Sequence, residues 1–308
     1  MINKDYNDNL NDEIDLKDIF VTIWDHKLTV INFFLFSATL SVLIALYLPN
    51  TYLSKTLLAP TSTEDTLSSQ LSELSSFSSI AGINLTGKTS TKSTEAIARI
   101  QSYDFFINQF LPNIYLQDLL AVKRWNPENN TLTYKKSVFN VKTKKWSDKF
   151  LSSSSNLPST QKAFEEYKKS LSISDDRKTS FITINIEHKS PYIAKEWLDI
   201  IIEGINNIMR MEDITKAQNS INFLNESTKI ANIQSIKDAI STLLESQMKT
   251  LMLASSNDSY VFRVLDTPIV SEKKSGPARA IICILGTFIG TMLSLCFIFL
   301  NKIKKNYY

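Results

Sequence analysis

Two stretches of this sequence contain no charged residue: residues 28–48 ("LTVINFFLFSATLSVLIALYL") and residues 280–300 ("AIICILGTFIGTMLSLCFIFL"), each 21 residues long. A helix rises about 1.5 Å per residue, so each would reach about 30 Å, the thickness of a bilayer's hydrocarbon core. Core helices of water-soluble domains seldom run that far without a charge. Both stretches therefore read as transmembrane helices, and the rest of the chain has to be arranged around two anchors. The first is no cleaved leader. Seven Asp and Glu precede it against Lys4, Lys17 and Lys27, and "YLPNTY" follows it. A signal peptide has a short basic lead and a small-residue cleavage site.

Two spans put both termini on one side. Lys302, Lys304 and Lys305 follow the second span, but Lys273, Lys274 and Arg279 precede it, so that span alone is a tie. Lys17 and Lys27 before the first span outweigh Lys55 after it. The positive-inside rule then assigns both ends to the cytoplasm and residues 49–279 to the far side. Residues 1–27 form a cytoplasmic N-terminal segment in this reading. Its first 11 residues are polar and read as disordered, and "EIDLKDIFVTIWDHKL" reads as a short amphipathic helix with Trp24 and His26 at the membrane boundary. Residues 301–308 form a cytoplasmic tail. Cys283 and Cys296, the only cysteines, both lie in the second span, about 20 Å apart along a helix and too far to bridge.

Residues 82–89 read "GINLTGKT", a formal match to the phosphate-cradling loop G-x-x-x-x-G-K-[ST]. That loop needs a buried strand before it and a helix after it. Here the preceding residues are "SSQLSELSSFSSIA", too rich in serine for a buried parallel strand. No apolar strand ending in a metal-binding Asp accompanies it either. The expectation is a loop that binds no nucleotide.

Within residues 49–279, "TYLSKTLLA" (51–59), "SFITINIEH" (180–188) and "SYVFRVLD" (259–266) read as strands. In the second of these Ile182, Ile184 and Ile186 face inward by strict alternation. Residues 93–111 and "STQKAFEEYKKSLSI" read as helices, and "SSSSNLPS" (152–159) as a loop. "VKRWNPENNTLTYKKSVFNV" reads as paired strands about an Asn-Pro-Glu-Asn-Asn turn. Ser190–Pro191 opens a long helical region with no proline from residue 192 to 267. Ile214, Ala217, Ile221, Leu224, Thr228 and Ala231 make one heptad seam. Ile236, Ile240, Leu243, Gln247, Thr250 and Ala254 make a second, in a different phase. The phase break predicts a kink or turn between residues 229 and 234. The fold class is thus an α/β membrane protein: two transmembrane helices flank a domain with a membrane-proximal α/β base and a long protruding helical hairpin, spanning about residues 190–256. A rod of about 40 residues is about 60 Å long. Such weak seams imply packing against the partner arm or neighbouring copies, hence a homo-oligomer.

Three sets of residues stand out. Gly286, Gly290 and Ser294 recur every fourth position on the second span, and Ser37, Ser41 and Ala45 do so on the first. Small residues let transmembrane helices approach closely, so this face serves a packed hairpin, a contact between protomers or a contact with another membrane protein. Residues 121–150 hold eight Lys and Arg against Glu128 and Asp148, interleaved with aromatic rings. Of these, Lys123, Arg124, Trp125, Lys142, Lys144 and Lys145 are candidates for contact with a glycan or with anionic lipid headgroups; a solvated hairpin with core aromatics is the competing account. These residues also suit nucleic acid, but the deduced topology argues against it. No paired carboxylates, metal-ligand spacing or Ser/His/Asp group appears, and two histidines leave hydrolase chemistry little to work with. The chain reads as non-enzymatic, without cofactor or metal.

The architecture resembles the Wzz-type polysaccharide co-polymerases, bacterial chain-length determinants of surface polysaccharides. "DEIDLKDIFVTIWDHK" is similar to that family's lead into its first span, and "SSIAGINL" to its short Gly/Ala segment. "EHKSPYIAKEWLDIII" is similar to its strand-to-long-helix junction. "MKTLMLA" and "YVFRVLDTPIVSEKKSGPARAIICILGTFIG" are similar to its closing strand and its proline-containing entry to the second span, with Pro268, Pro277 and Arg279 as the linker motif. Ser271 stands where another proline is expected. Some relatives continue into a cytoplasmic tyrosine kinase with its own phosphate loop; with the sequence ending at Tyr308, a member without that domain is expected. The resemblance implies a ring-like homo-oligomer in the bacterial inner membrane with a periplasmic central domain. It implies a regulator of the modal length of O-antigen or a related lipid-linked surface glycan, working with a Wzy-type polymerase and in contact with membrane lipids. A two-span extracytoplasmic sensor would need a cytoplasmic signalling module. A periplasmic adaptor of an export system would be richer in glycine and have one anchor. Both are weaker readings.

Overall fold

The computed structural model describes residues 24–61, 92–152, 155–176, 178–230 and 233–306. The "GINLTGKT" stretch, the N-terminal segment through residue 23 and Tyr307 and Tyr308 lie outside those residues. The chain divides into two compact units, residues 1–49 with 276–308, and residues 50–275.

The first helix, α1 (Lys27–Tyr47), belongs to the terminal unit. The central unit begins with β1 (Thr51–Pro60). Helix α2 (Lys92–Ile100) stops short of the expected end near residue 111. The reason is Ser102, whose side chain accepts from the Phe105 N–H at 3.2 Å and starts a new turn, Tyr103–Phe105. The chain then runs through a π turn (Phe106–Phe110) and a 3₁₀ turn (Leu111–Asn113) that contains Pro112. A cap in mid-segment offers the backbone an alternative to the continuous helix. After α3 (Leu116–Leu120) come two hairpins: β2 (Val122–Asn126) with β3 (Thr131–Tyr134), and β4 (Phe139–Asn140) with β5 (Lys145–Trp146).

Residues 152–159, expected as a loop, contain a strand: β6 (Leu151–Ser152) pairs with β7 (Ser155–Pro158). Helix α4 (Thr160–Ser170) also ends sooner than its periodicity predicts. Its last residues, "LSI", join β8 (Leu171–Asp176), because Leu171 and Ile173 pair across to Ile186 and Ile184 of β9 (Phe181–His188). Apolar residues two apart suit a strand as well as a helix end, and the cross-strand partners decide.

Helix α5 (Pro191–Ile230) is 40 residues long and starts on its proline. The expected break appears between Ile230 and the start of α6 (Gln234–Ser256), which folds back along α5. Two links at the root fix that antiparallel return: Arg210 Nη1 to Asp258 Oδ1 at 2.9 Å, and the Tyr260 hydroxyl donating to Asp213 Oδ2 at 2.6 Å. Of the heptad residues, Ala217, Leu224 and Ala254 are buried between the arms, whereas Ile236 and Leu243 stay exposed. β10 (Phe262–Asp266) returns the chain to β1.

The central sheet runs β10–β1–β9–β8 with these pairs antiparallel, and a short fifth strand, Lys274–Gly276, also pairs with β1. Its inward residues are those the alternation predicts: Ile182, Ile184 and Ile186 are buried, opposite Leu58, Thr56 and Ser54 of β1. The two buried hydroxyls are satisfied, Thr56 donating to Asp266 O at 2.7 Å and Ser54 to Ile269 O at 3.0 Å. An aromatic core packs with them. The Phe110 ring centre lies 4.6 Å from that of Tyr167 and 5.4 Å from that of Trp197, and Tyr167 donates its hydroxyl to Ile100 O at 2.8 Å. Asn206 of α5 satisfies β10 directly: its Oδ1 accepts from the N–H groups of Val261 and Phe262, and its Nδ2 donates to Phe262 O.

The last helix, α7 (Arg279–Asn306), returns the chain to the terminal unit. Residues 27–47 and 279–301 have mean hydropathy 2.1 and 2.4 and are long and apolar enough to cross a membrane. The fold is thus a mixed helix-and-sheet domain between two apolar helices, with a long helical region.

Candidate functional site: a small-residue seam and a basic, aromatic face

In the terminal unit, α1 and α7 pack side by side through the small residues singled out in the sequence. Ser41, Ala45 and Ser294 are buried while most of the large apolar side chains on these helices point outward. A Cβ added to Gly286 would sit 2.5 Å from Ser41 Cβ, and one added to Gly290 would sit 2.1 Å from Ser37 Cβ. Neither separation is sterically allowed, so both positions require glycine at this spacing. The pairing 286–41 and 290–37 runs antiparallel, as a helical hairpin must. Ser37 and Ser41 turn their hydroxyls back to Phe34 O and Ala38 O, which satisfies them without a partner helix. The Phe33 and Phe297 rings meet at 5.9 Å at one end of the seam. Three contacts are open to these residues from sequence; within this chain they line the α1–α7 hairpin. The linker residues are placed apart: Pro268 is buried just after β10, and Pro277 and Arg279 lead into α7.

In the central unit, the basic stretch divides between two hairpins. Lys123, Arg124 and Trp125 lie on β2, and Lys142, Lys144 and Lys145 on the β4–β5 hairpin, where Lys144 takes φ 51° at the turn. The charged ones are exposed. Trp146 packs on Phe139 at 4.9 Å, so here the core-aromatic account holds. Trp125 differs. Its ring meets Tyr52 edge-on at 5.2 Å and Tyr192 at 6.1 Å, in a cluster on the surface where Tyr192 is 49% exposed.

A buried polar node behind that cluster was not singled out in sequence. His188 Nδ1 accepts from the Ser190 N–H at 3.0 Å, which leaves Nε2 to donate to Asp118 O at 3.0 Å. Its ring lies 4.8 Å from that of Trp197. Burial holds the imidazole down at about 4, so it is neutral at pH 7. The Asp118 carboxylate accepts from the Tyr134 hydroxyl at 2.6 Å; burial pushes its pKa up, against that hydrogen bond. Lys189, next to His188, donates to Val122 O; burial lowers its pKa, and the neighbouring Lys135 charge lowers it further. A lone histidine at the end of an alternating strand carries no signal of such a role, because the partners come from Asp118 and Ser190. Among the described residues no group of His, Cys, Asp and Glu has the arrangement of a metal site.

The α1 side of the seam lies in a stretch with a recognisable family. Residues 12–109 match the family model described as Wzz, chain length determinant protein. Over that segment the chain is similar to the Wzz family. The matched Wzz segment holds α1, β1 and α2; the basic hairpins and the α5–α6 arms lie beyond it. No curated protein matches the chain. Among solved structures, a full-length bacterial polysaccharide co-polymerase is similar at 11% identity over 95% of this chain and 99% of its own, with TM-score 0.40. A fragment of WzzB, the polysaccharide co-polymerase from Salmonella Typhimurium, is similar at 13% identity over 74% of this chain and 100% of its own, with TM-score 0.27. Superpositions this loose carry no argument about the Wzz segment or the rest of the chain.

Proposed function

We propose that the chain is a non-enzymatic regulator of polysaccharide chain length, setting the modal length of O-antigen or a related lipid-linked surface glycan with a Wzy-type polymerase. The observation that carries this reading is the Wzz match through α1 and β1. It is supported by a second apolar helix, α7, that closes the chain into a two-span pattern. In this reading residues 28–48 and 280–300 cross the bacterial inner membrane. Residues 1–27 and 301–308 are cytoplasmic, and residues 49–279 form the periplasmic domain, with the helical arm at about 190–256. The chain acts as a homo-oligomer and works by shape and assembly, without cofactor, nucleotide or nucleic acid. Gly286, Gly290, Ser294, Ser37, Ser41 and Ala45 hold the spans together and present the outer faces to the polymerase and lipid. Pro268, Pro277 and Arg279 link domain to membrane. Lys123, Arg124, Trp125, Lys142, Lys144 and Lys145 contact glycan or headgroups.

Deleting the gene and running surface glycans on a gel tests the reading. Loss of a preferred band size, restored by the intact gene, is expected; an unchanged ladder sinks it. Protease added to spheroplasts tests the topology separately. Cleavage within residues 49–279 with both tails spared is expected, and a protected centre overturns that part.

A further inference from the structure

The face around Trp125 combines three features that point to one kind of ligand. The first is unneutralised positive charge. Lys189 is half-buried and donates to Val122 O. Lys135 follows β3, and its N–H bonds to Ala121 O at 2.8 Å. Lys123 is the extra residue where the β2–β3 register slips between Val122 and Arg124, and such a bulge re-aims a side chain. The Lys135 charge bears on Lys189, and the backbones of Lys135 and Lys123 both lie beside residues 121–122. Among the described residues no carboxylate forms an ion pair with Lys123, Arg124, Lys135 or Lys189. Glu166, the acid that bears on Lys189, is itself held by Lys169 at 2.6 Å.

The second feature is rigidity. Lys189 sits between His188 and Ser190, both buried and hydrogen-bonded to each other, and its ammonium is tied to β2. Its position is set before any ligand arrives. The third is an apolar platform at the side of the charge. Tyr52, Trp125 and Tyr192 form a continuous aromatic surface, and Tyr192 stands three residues from Lys189 on the first turn of α5. The Trp125 indole N–H is already taken by Asn130 Oδ1 at 2.8 Å, so what the ring offers is its face. The C–H bonds of a sugar ring carry partial positive charge and lie well on such a face. A phosphate oxygen accepts from several ammonium groups at once.

We propose that Lys189, Lys135 and Lys123 with Trp125 and Tyr192 form a site for a phosphate-bearing saccharide, the phosphate on the lysines and the adjoining sugar ring on the aromatic face. This rests on the glycan-contact reading above, moves its centre from the β4–β5 lysines to Lys189, and specifies a phosphorylated ligand.

An amide chemical-shift titration of the full chain in phosphatidylcholine nanodiscs with glucose 1-phosphate, inorganic phosphate and glucose tests it. Glucose 1-phosphate should bind about tenfold more tightly than either glucose or phosphate. Trp125→Ala should bring it down to the level of phosphate, and exposed Lys135→Gln should weaken both phosphates several-fold. Lys189→Met should abolish them. Because Lys189 also supports β2, Lys135→Gln, whose amide spectrum should match the parent, keeps the test decisive if that variant misfolds. Equal binding of phosphate and glucose 1-phosphate overturns the saccharide half. Equal binding of glucose and glucose 1-phosphate overturns the anion half. Binding only to vesicles containing phosphatidylglycerol overturns the whole in favour of a lipid-surface patch. Failure here with a sharp glycan ladder leaves chain-length control standing; binding with an unchanged ladder on gene deletion does the reverse.

Discussion

The two units bury opposite kinds of residue. In the central unit Phe106, Phe110 and Tyr167 have no exposed surface, and the long arms carry charge outward. In the terminal unit Phe36 is 70% exposed and Ile284 66%, while serine, alanine and glycine are hidden. Water drives the first arrangement, since removing aromatic surface from it is worth about 25 cal/mol per Å². In the membrane setting proposed above, lipid offers no such gain between two apolar helices, so what remains is close backbone approach and dispersion. The same amino acid therefore has different worth in the two regions, and mutations measure the difference.

The largest contrast is between two phenylalanines. Phe110→Ala empties a site bounded by Phe106, Tyr167 and Trp197 and should lower the stability of the central unit by about 3–5 kcal/mol. Phe36→Ala on α1, facing outward, should cost less than about 1 kcal/mol in a bilayer, where lipid replaces the lost contact. Urea melts of the full chain in nanodiscs, followed by near-ultraviolet circular dichroism, check both. Similar costs would break the comparison.

A pH titration reads the buried polar node that only the central unit has. An unfolded imidazole titrates near 6.5, whereas burial holds His188 at about 4. Between those values the unfolded chain binds more protons. The stability contribution is therefore complete above about 6.5 and is lost as pH falls towards about 4, a loss of about 3 kcal/mol. Asp118 opposes it: its raised pKa makes the carboxylate unfavourable in the fold, and acid relieves that. The net loss should thus fall below the histidine's own. His188→Gln should melt lower at pH 7 yet show a flatter fall between pH 7 and pH 4.5. Parallel curves for parent and variant would remove His188 from the account.

The seam gives a smaller effect of opposite sign logic, in which adding an atom harms. Gly290→Ala places its Cβ 2.1 Å from Ser37 Cβ, so α1 and α7 must part. The expected cost is about 1–3 kcal/mol, with a wider spin-label distance between the helices. Ser37→Gly should restore both, because it removes the atom struck. If rescue fails, α1 and α7 pack on another face.

How much of this was legible in sequence follows the same division. The two apolar helices and their small-residue period of four follow from composition; the register that sets Gly290 against Ser37 does not, since Gly290 against Ser41 would run antiparallel as well. The inward isoleucines of β9 and the break after Ile230 were legible because period two and heptad phase are local signals. The early ends of α2 and α4 were not, since Ser102 acts through a hydrogen bond and Leu171 and Ile173 through strand partners. His188 and Lys189 were illegible for that reason too: Asp118 and Val122 reach them across about seventy residues of chain.

The smallest expected effect lies on the arms, where the two regimes meet in one element. Phe223 on α5 is 71% exposed, four residues before Ser227, whose hydroxyl bonds back to Phe223 O. In a single chain in water, Phe223→Ser touches no core and changes helix propensity only slightly, so the cost should stay within about 0.5 kcal/mol. Ile230, 78% exposed, should behave alike. The measurement has to be made at several protein concentrations. A cost that stays small throughout leaves this face bare and keeps the arms in the water-driven regime. A cost that climbs above about 1 kcal/mol as concentration rises means that a second copy covers Phe223, because a ring buried only on association contributes only there.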